Sequence, residues 1–537
     1  MRITNNMIMK NAGSNINATK VQVDKTNTQM TTQQKIAHPS EDPVTAIRSL
    51  RLGTSLNKIN QYYKKNIPDA AHWLDVTETA LTNMKSLITD IRTECVKGAT
   101  ETLTQHDRNT ILSNLKALQE QIYSEGNADY AGRTVFTGYR TNKNLIFLED
   151  EENTSYNIDQ TLSSKELTEF TYYTGNVSVP TTAAEAADTT AIPKVASDTY
   201  HRMRLAYDDV TTIHSVSIAY GGNTYDIATD ASKTGTNAAG TSYTYYTGSV
   251  ADGTGQTINT YVFDSEDDWL AWSKTNGRDS KFVDGNDMVI IRGTGDLICG
   301  DNLTDTISSN KAQITVNYDK TGFSKGELRP EYYYNCTDNT DAANPVTYEK
   351  YDSSGNVISY SIDYAVASNQ MLGVNLEASN VFDSSILQDC NDMIDAVSNA
   401  ISAHDKVDRI KEMMTLDQYS DETNQANLQQ WLEAAQKEMD YADNHLTDLY
   451  NGDIGNMDEY LSSVNLAITQ VGCKADQLSV TKTRMSEQQQ TVEELQSTND
   501  DLDLSDIIIK YTSAYTAYQS SLQAAGRLGS QTLLNYI

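Results

Sequence analysis

The stretch IPDAAHWLDVTETALTNMKSLITDIRTEC, residues 67–95, carries two apolar columns at seven-residue spacing. Ile67, Leu74, Leu81, Ile88 and Cys95 form one column, and Ala70, Thr77, Met84 and Ile91 the other. Residues seven apart return to the same helix face, so two sustained columns predict a coiled-coil-like seam. Working outward, a further helix is expected from about Asp107, where Ile111, Leu115, Leu118 and Ile122 recur at 4-3-4 spacing. On the other side, His38-Pro39-Ser40-Glu41-Asp42-Pro43 is a break, with Ser40 or Asp42 as N-cap and Pro43 suited to the first helical position. Residues 1–37 contain no Pro and one Gly, and their stripe is thin: Met9, Ile16, Val23 and Met30, with weak companions Ala12, Thr19, Thr26 and Gln33. A helix so poor in apolar area does not hold itself and waits for partners.

The helical pattern returns from residue 381. Cys390, Ile394, Val397 and Ile401 mark one face, and Leu428, Trp431, Ala435, Met439 and Ala442 another. A long heptad follows through Met457, Val464, Val471, Leu478, Met485 and Val492, interleaved with Leu461, Ile468, Ala475, Lys482 and Gln489. The final helix is amphipathic through Ile508, Tyr511, Tyr515, Tyr518, Leu522 and Ala525. Between 146 and 380 the text changes to short alternating runs such as 214–220 and 312–318, with Gly, Asn and Asp turns and 19 of the 32 tyrosines. That stretch reads as β-rich.

The fold class expected is therefore α+β. The N- and C-terminal segments form a long antiparallel helical hairpin or coiled-coil bundle, with a β-rich insertion domain at its tip. The boundaries expected are 1–37 with 500–537 as terminal assembly helices, 38–145 with 381–499 as a helical rod, and 146–380 as the variable insertion.

Charge follows the same division. The chain of 537 residues has 73 acidic against 41 basic residues, a net −32. Residues 1–145 hold +5, residues 146–380 hold −20 and residues 381–537 hold −17. Opposite sign at the two helical ends favours their pairing. The overall acidity argues against nucleic acid and against an anionic membrane surface, and no run approaches the ~18 apolar residues of a membrane span. The start MRITNNMIMK lacks the apolar core of a cleaved secretory signal. Five scattered cysteines form no CxxC pair.

Chemistry is sparse. The seven histidines make no HExxH or other metal spacing, and His404 with Asp405 reads as solvated helix surface. Gly293-Thr-Gly295 reads as a strand turn, and Asp284-Gly-Asn-Asp287 as a hairpin turn that does not fit an EF-hand loop. Tyr332, Tyr333 and Tyr334 read as strand filler. No catalytic residue, cofactor site or metal site is expected.

The helical ends also carry a resemblance. Met1-Arg-Ile-Thr-Asn-Asn-Met7, Pro39-Ser-Glu-Asp-Pro-Val44, Trp73-Leu-Asp-Val-Thr-Glu-Thr-Ala-Leu81 and Gly132-Arg-Thr-Val-Phe-Thr-Gly138 are similar to hook-associated proteins of the FlgL type, in the flagellin superfamily. Tyr518-Gln-Ser-Ser-Leu522 and Thr532-Leu-Leu-Asn-Tyr-Ile537 resemble the matching terminal helix, and Lys325-Gly-Glu-Leu-Arg-Pro-Glu-Tyr-Tyr-Tyr334 looks family-like without a role. The resemblance implies a structural, non-enzymatic protein of bacterial motility, at the junction of flagellar hook and filament, on which flagellin polymerises. It implies export by the flagellar type III apparatus without a cleaved signal, and an extracellular place. The partners implied are identical subunits in a ring, the proximal hook-associated protein, flagellin and a flagellar export chaperone. The assembly interface expected is Met9, Ile16, Val23 and Met30 against Ile508, Tyr511, Tyr515, Tyr518 and Leu522. The rival readings are filament flagellin and, from a different class, a surface adhesin with a coiled-coil stalk and a β-rich head.

Overall fold

The computed structural model describes residues 5–100, 103–237, 240–251, 256–352, 354–382 and 384–530. The quoted residues 1–4 and 532–537 lie outside them. In chain order the helices are α1 (Asn5–Thr32), α2 (Pro43–Gln61), α3 (Ile67–Gly98), α4 (Gln105–Gly126), the short α5 (Ala183–Ala187), α6 (Glu266–Thr275), α7 (Asp301–Asn310), α8 (Ser385–Thr415), α9 (Glu422–Asp500) and α10 (Leu504–Ser530). The strands are β1 (Asp129–Tyr130), β2 (Arg133–Thr134), β3 (Glu151–Ser163), β4 (Thr168–Thr174), β5 (Ala196–Arg204), β6 (Thr212–Tyr220), β7 (Asn223–Ala228), β8 (Ala231–Thr236) and β9 (Ser242–Ala251). They continue with β10 (Thr257–Phe263), β11 (Met288–Ile291), β12 (Asp296–Cys299), β13 (Gln313–Phe323), β14 (Asn335–Asp338), β15 (Val346–Tyr348), β16 (Asp363–Ala367) and β17 (Gln370–Gly373). The α+β class expected from the sequence is what forms: helices at both ends of the chain and a β-rich region between them.

The chain separates into two compact units. Unit 1 comprises Met1–His72, Asp363–Leu372 and Lys474–Ile537, and unit 2 comprises Trp73–Ile362 and Gly373–Cys473. Composition placed a boundary at residue 37, but the structure keeps α2 with α1. The physical reason is a set of hydrogen bonds described below, which cross the Pro39–Pro43 break.

In unit 2, β15-β14-β3-β13-β6-β7 form a six-stranded antiparallel sheet. A seven-stranded sheet runs β4-β5-β12-β11-β10-β9-β8, antiparallel except where β10 and β11 pair in parallel around α6. Strand alternation sets the layers. Tyr156, Ile158 and Leu162 of β3, with Ile314, Val316 and Tyr318 of β13, pack with Met288 and Ile290 of β11 and Leu297 of β12 into one core. The intervening Val289, Ile291 and Ile298 point the other way, into a second core with Trp269 of α6, Tyr172 and Phe263. The seven-stranded sheet is thus covered on both faces, which explains the unbroken apolar run Met288–Ile291.

The unassigned tracts are stitches. Gly326 N donates to Phe147 O, Phe147 N to Glu327 O and Arg329 N to Leu145 O, each at 2.9 Å. Tyr332 and Tyr333 are buried, yet they occupy a 3-10 turn (Pro330–Tyr332) and the residue after it, not a strand. The motif ending at Gly138 closes the same region. Gly138, at φ +65°, donates its N–H to Leu376 O at 3.1 Å, and Ala378 N donates to Phe136 O at 2.7 Å. Asp284–Asp287 is not a hairpin turn but the loop that leads from α6 into β11, with Asp287 N donating to Asp284 O at 2.9 Å. Gly293–Gly295 does turn between β11 and β12, with Gly295 at φ +70°.

The helices of unit 2 hold the sheet through buried charge. Arg202 on β5 pairs with Asp296 at 3.0 Å and with Asp392 of α8, while Arg204 pairs with Asp392 at 2.5 Å and Asp208 at 3.1 Å. The Arg202 guanidinium also lies 3.6 Å from the Phe170 ring centroid. His404 is not solvated surface: its Nε2 sits 2.9 Å from Asp443 Oδ2, and Arg108 of α4 reaches the same carboxylate at 2.9 Å.

Candidate assembly surface

Pro43 begins α2 and Asp42 caps it, accepting from Val44 N at 3.0 Å and Thr45 N at 3.2 Å. The Thr45 hydroxyl, with these backbone N–H groups, holds the Asp42 carboxyl below the ordinary carboxylate range. α2 runs into a π-helical turn, Tyr62–Asn66, just ahead of Pro68. Proline has no N–H for the carbonyl four residues back, and its ring crowds that carbonyl; a widened turn relieves both. The β16–β17 hairpin docks there. Asn66 Nδ2 donates to Ala365 O at 2.7 Å, the Tyr364 hydroxyl bonds Asp69, and Gln370 Nε2 donates to Thr481 Oγ1 at 3.3 Å.

The helix breaks at 33–42 and 500–503 are tied together. Lys35 N donates to Asp500 O at 2.8 Å and Leu502 N to Gln33 O at 2.9 Å, with Gln33 at φ +57°. Ser49 Oγ donates to Asp500 Oδ2 at 2.8 Å, and Asn499 Nδ2 to Thr45 O at 3.1 Å. From this joint α1 and α10 run antiparallel, packed on one another. The α1 face turned inward is Ile8, Ala12, Ile16, Thr19, Val23, Thr26 and Met30. Thr19 and Thr26 donate their hydroxyls to Asn15 O at 3.0 Å and Gln22 O at 2.9 Å, so they sit in a seam without orphaned groups. On α10 the inward column is Ile507, Tyr511, Ala514, Tyr518, Ser521 and Ala525.

The sequence-derived interface is therefore divided. Ile16, Val23, Met30, Tyr511 and Tyr518 lie in the α1–α10 seam, half-buried. Met9, Ile508, Tyr515 and Leu522 lie outside it and are exposed by 57%, 46%, 44% and 44%. The larger apolar column of α10 is the one left open, because small residues at 514 and 521 let α1 approach. Sequence reading missed Ile507, and it missed the open face of α2, where Val44, Ile47 and Leu50 recur at three-residue steps. That spacing was a usable signal.

Among the described residues, fourteen of the twenty-two exposed large hydrophobic side chains belong to unit 1, a little over a quarter of the chain. Its sequence holds 15 basic and 13 acidic residues, a net +2; unit 2 holds 26 and 60, a net −34. The exposed apolar side chains of the described residues are thus concentrated on a near-neutral helical unit. Among the described residues no group of three or more His, Cys, Asp and Glu side chains is arranged to hold a metal, and no helix is long and apolar enough to cross a membrane.

These features define the class, a chain with helices at both ends whose terminal helices carry open apolar faces. Residues 3–141 match the family model of the bacterial flagellin N-terminal helical region. The chain is 26% identical over 142 residues to flagellar hook-associated protein 3 of Salmonella typhimurium and 25% identical over 142 residues to that of Escherichia coli. Each match covers 26% of this chain and 44% of the relative, so it spans less than half the relatives' length. Among solved structures, a putative flagellar hook-associated protein from Vibrio parahaemolyticus is 13% identical at TM-score 0.33, covering 86% of this chain and all of that one. Flagellar hook associated protein-3 from Legionella pneumophila is 11% identical at TM-score 0.29, covering 83% of this chain and 98% of that one. The resemblance read from the sequence thus stands in its N-terminal part: these residues are flagellin-like, and their relatives are flagellar hook-associated proteins.

Proposed function

We propose that this chain is a structural subunit of the bacterial flagellum that joins hook to filament and presents a surface on which flagellin polymerises. The relatives' names supply the place. The observation that carries the mechanism is the open column Ile508, Tyr515 and Leu522 on a helix whose other face is already occupied. Identical subunits in a ring cover that column with their own terminal helices, with the proximal hook-associated protein on one side and flagellin on the other. The β-rich insertion stays outside the packed helices of the polymer. Before assembly the terminal helices are held by a flagellar export chaperone, and the chain leaves the cell through the flagellar export path without a cleaved signal. Ordering on assembly costs conformational entropy, offset by burying several apolar columns together.

The test is complementation of a junction-deficient strain with Ile508→Ser/Leu522→Ser and with a chain lacking residues 1–35. The double-serine protein should be exported, the shortened chain should keep unit 2 folded when purified, and neither should support filaments. Filaments of normal number with either variant would overturn this function.

A further inference from the structure

Two carboxyl groups between α8 and α9 lie outside the columns proposed for assembly. Asp389 comes from α8 and Asp453 from α9. Tyr460 Oη donates to Asp389 Oδ2 at 2.8 Å, and Asn456 Nδ2 reaches Asp389 Oδ2 at 3.2 Å and Asp453 Oδ1 at 3.3 Å. Asp453 is 3% exposed, and its Oδ2 has no hydrogen-bond partner. The nearby cations of the sheet are engaged elsewhere: Arg202 with Asp296 and Asp392, Arg204 with Asp392 and Asp208. Arg108, which acts on Tyr450, is held by Asp443 at 2.9 Å, and the other titratable groups facing the pair are Asp392 and Cys390 on α8, Cys95 on α3 and Tyr450 on α9. None of the latter is a cation.

Two ionised carboxylates here would repel one another in a poorly hydrated site, with one oxygen left unsolvated. A retained proton removes one charge and gives the orphaned carboxyl a donor. We infer that the Asp389–Asp453 pair is a proton-binding site that α8 and α9 share at neutral pH, and that releasing the proton weakens this helix junction. Burial pushes the Asp389 carboxyl up to about 6, and burial with the neighbouring Asp389 and Asp392 charges pushes Asp453 well above the carboxylate range. The folded state therefore binds more protons than the unfolded chain, whose carboxyls titrate near pH 4. Stability is full at low pH and is lost as pH rises through the folded values. His445 acts in the opposite sense: burial, then Arg202, lowers it to about 4, so its contribution grows as pH rises from about 4 and is nearly complete only by about pH 7.5. Above about pH 8 the buried thiols add a slope of the same sign as the pair, because Cys95 and Cys299 are pushed up to about 12 by burial. Asp208, Glu327 and Asp395, also pushed up by burial, add slope of the same sign, so between about pH 6.5 and 7.5 the pair's share is the part of the slope that its variants remove.

The experiment is urea unfolding of the full chain across that window. Tryptophan fluorescence reports unit 2, since Trp73, Trp269, Trp272 and Trp431 all belong to it. The unfolding equilibrium constant should rise several-fold and up to about tenfold from pH 6.5 to 7.5, the limit for one proton. Asp453→Asn should have a clearly shallower slope across the window and unfold at a higher urea midpoint than wild type at pH 7.5. Asp389→Asn removes the like charge and should move the sloping region to lower pH. A flat wild-type profile overturns the inference, as does a wild-type slope retained in either variant.

Discussion

At the residue scale, the two units obey different rules, and unit 2 is where single atoms decide. Gly98 ends α3 against the ring of Tyr450; a Cβ there would lie 2.3 Å from the ring's Cε2. Tyr450 is fully buried and has nowhere to move. Gly98→Ala should therefore cost about 1–3 kcal/mol by overpacking, seen as a lower urea midpoint at unchanged m-value. Asp392 presents a second case. It compensates both Arg202 and Arg204, whose side chains are only 8% and 12% exposed. Removing it leaves two guanidinium groups partly uncompensated in a dry junction. Asp392→Ala should lose about 3–5 kcal/mol, whereas Asp458→Ala, which breaks an exposed pair with Arg92 at 2.7 Å, should leave the unfolding temperature nearly unchanged. Equal losses in thermal unfolding would show that burial is not what distinguishes the two pairs.

At the element scale, the helices differ in how far the sequence reveals their inward face. The columns of α3 were legible to the residue: Ile67, Leu74, Leu81, Ile88 and Cys95 are all at 0% exposure, as are Ala70, Thr77 and Ile91. In α8 and α9 one column held, at Cys390 and Val397 and at Met457, Val464, Val471, Leu478 and Met485, while companion positions there and the first residue of α10 were displaced by one. Met393 and Ala400 are buried where Ile394 and Ile401 were expected, and Ala467 and Thr481 where Ile468 and Lys482 were. In α10 Ile507 replaces Ile508. At Ala400, Ala467 and Thr481 the cause is size. A pattern weighted by side-chain size selects the larger neighbour, but close helix contact selects Ala, Ser and Thr, whose small volume lets backbones approach. The strands β6 and β13 were visible by alternation; the order of strands in the sheets was not, because it depends on long-range pairings such as β12 with β5. The assembly columns were half legible for the same reason as the helices. The contrast also predicts dynamics. In α1 Thr26, at 2%, is the one side chain among the described residues that is fully buried. Amides of α1 and α10 should exchange with deuterium at least about 100-fold faster in the monomer than those of α3 from Trp73 to Cys95. Comparable protection would mean that the terminal pair is stable without a polymer.

At the scale of the whole molecule, the net charge of −32 is not spread along the chain. Cut by composition it is +5, −20 and −17, but cut by the structure it is +2 and −34. The unit with open apolar faces is nearly neutral, and the other carries the entire excess. Two opposed forces therefore act when copies meet. Apolar columns on α2 and α10 attract at contact distance, independent of salt to first order. The acidic units repel over the Debye length, about 30 Å at 0.01 M salt and about 8 Å at 0.15 M. Attraction at short range is fixed, so salt tunes association through the repulsion alone. Raising ionic strength from 0.01 to 0.15 M should strengthen self-association of the full chain by at least about tenfold, measured by sedimentation equilibrium. Ile508→Ser/Leu522→Ser should associate more weakly than wild type at both salts, since it removes most of the α10 column and leaves only that of α2. If association instead weakened with salt, oppositely charged surfaces would be holding the copies together, and the open apolar columns would have some other purpose.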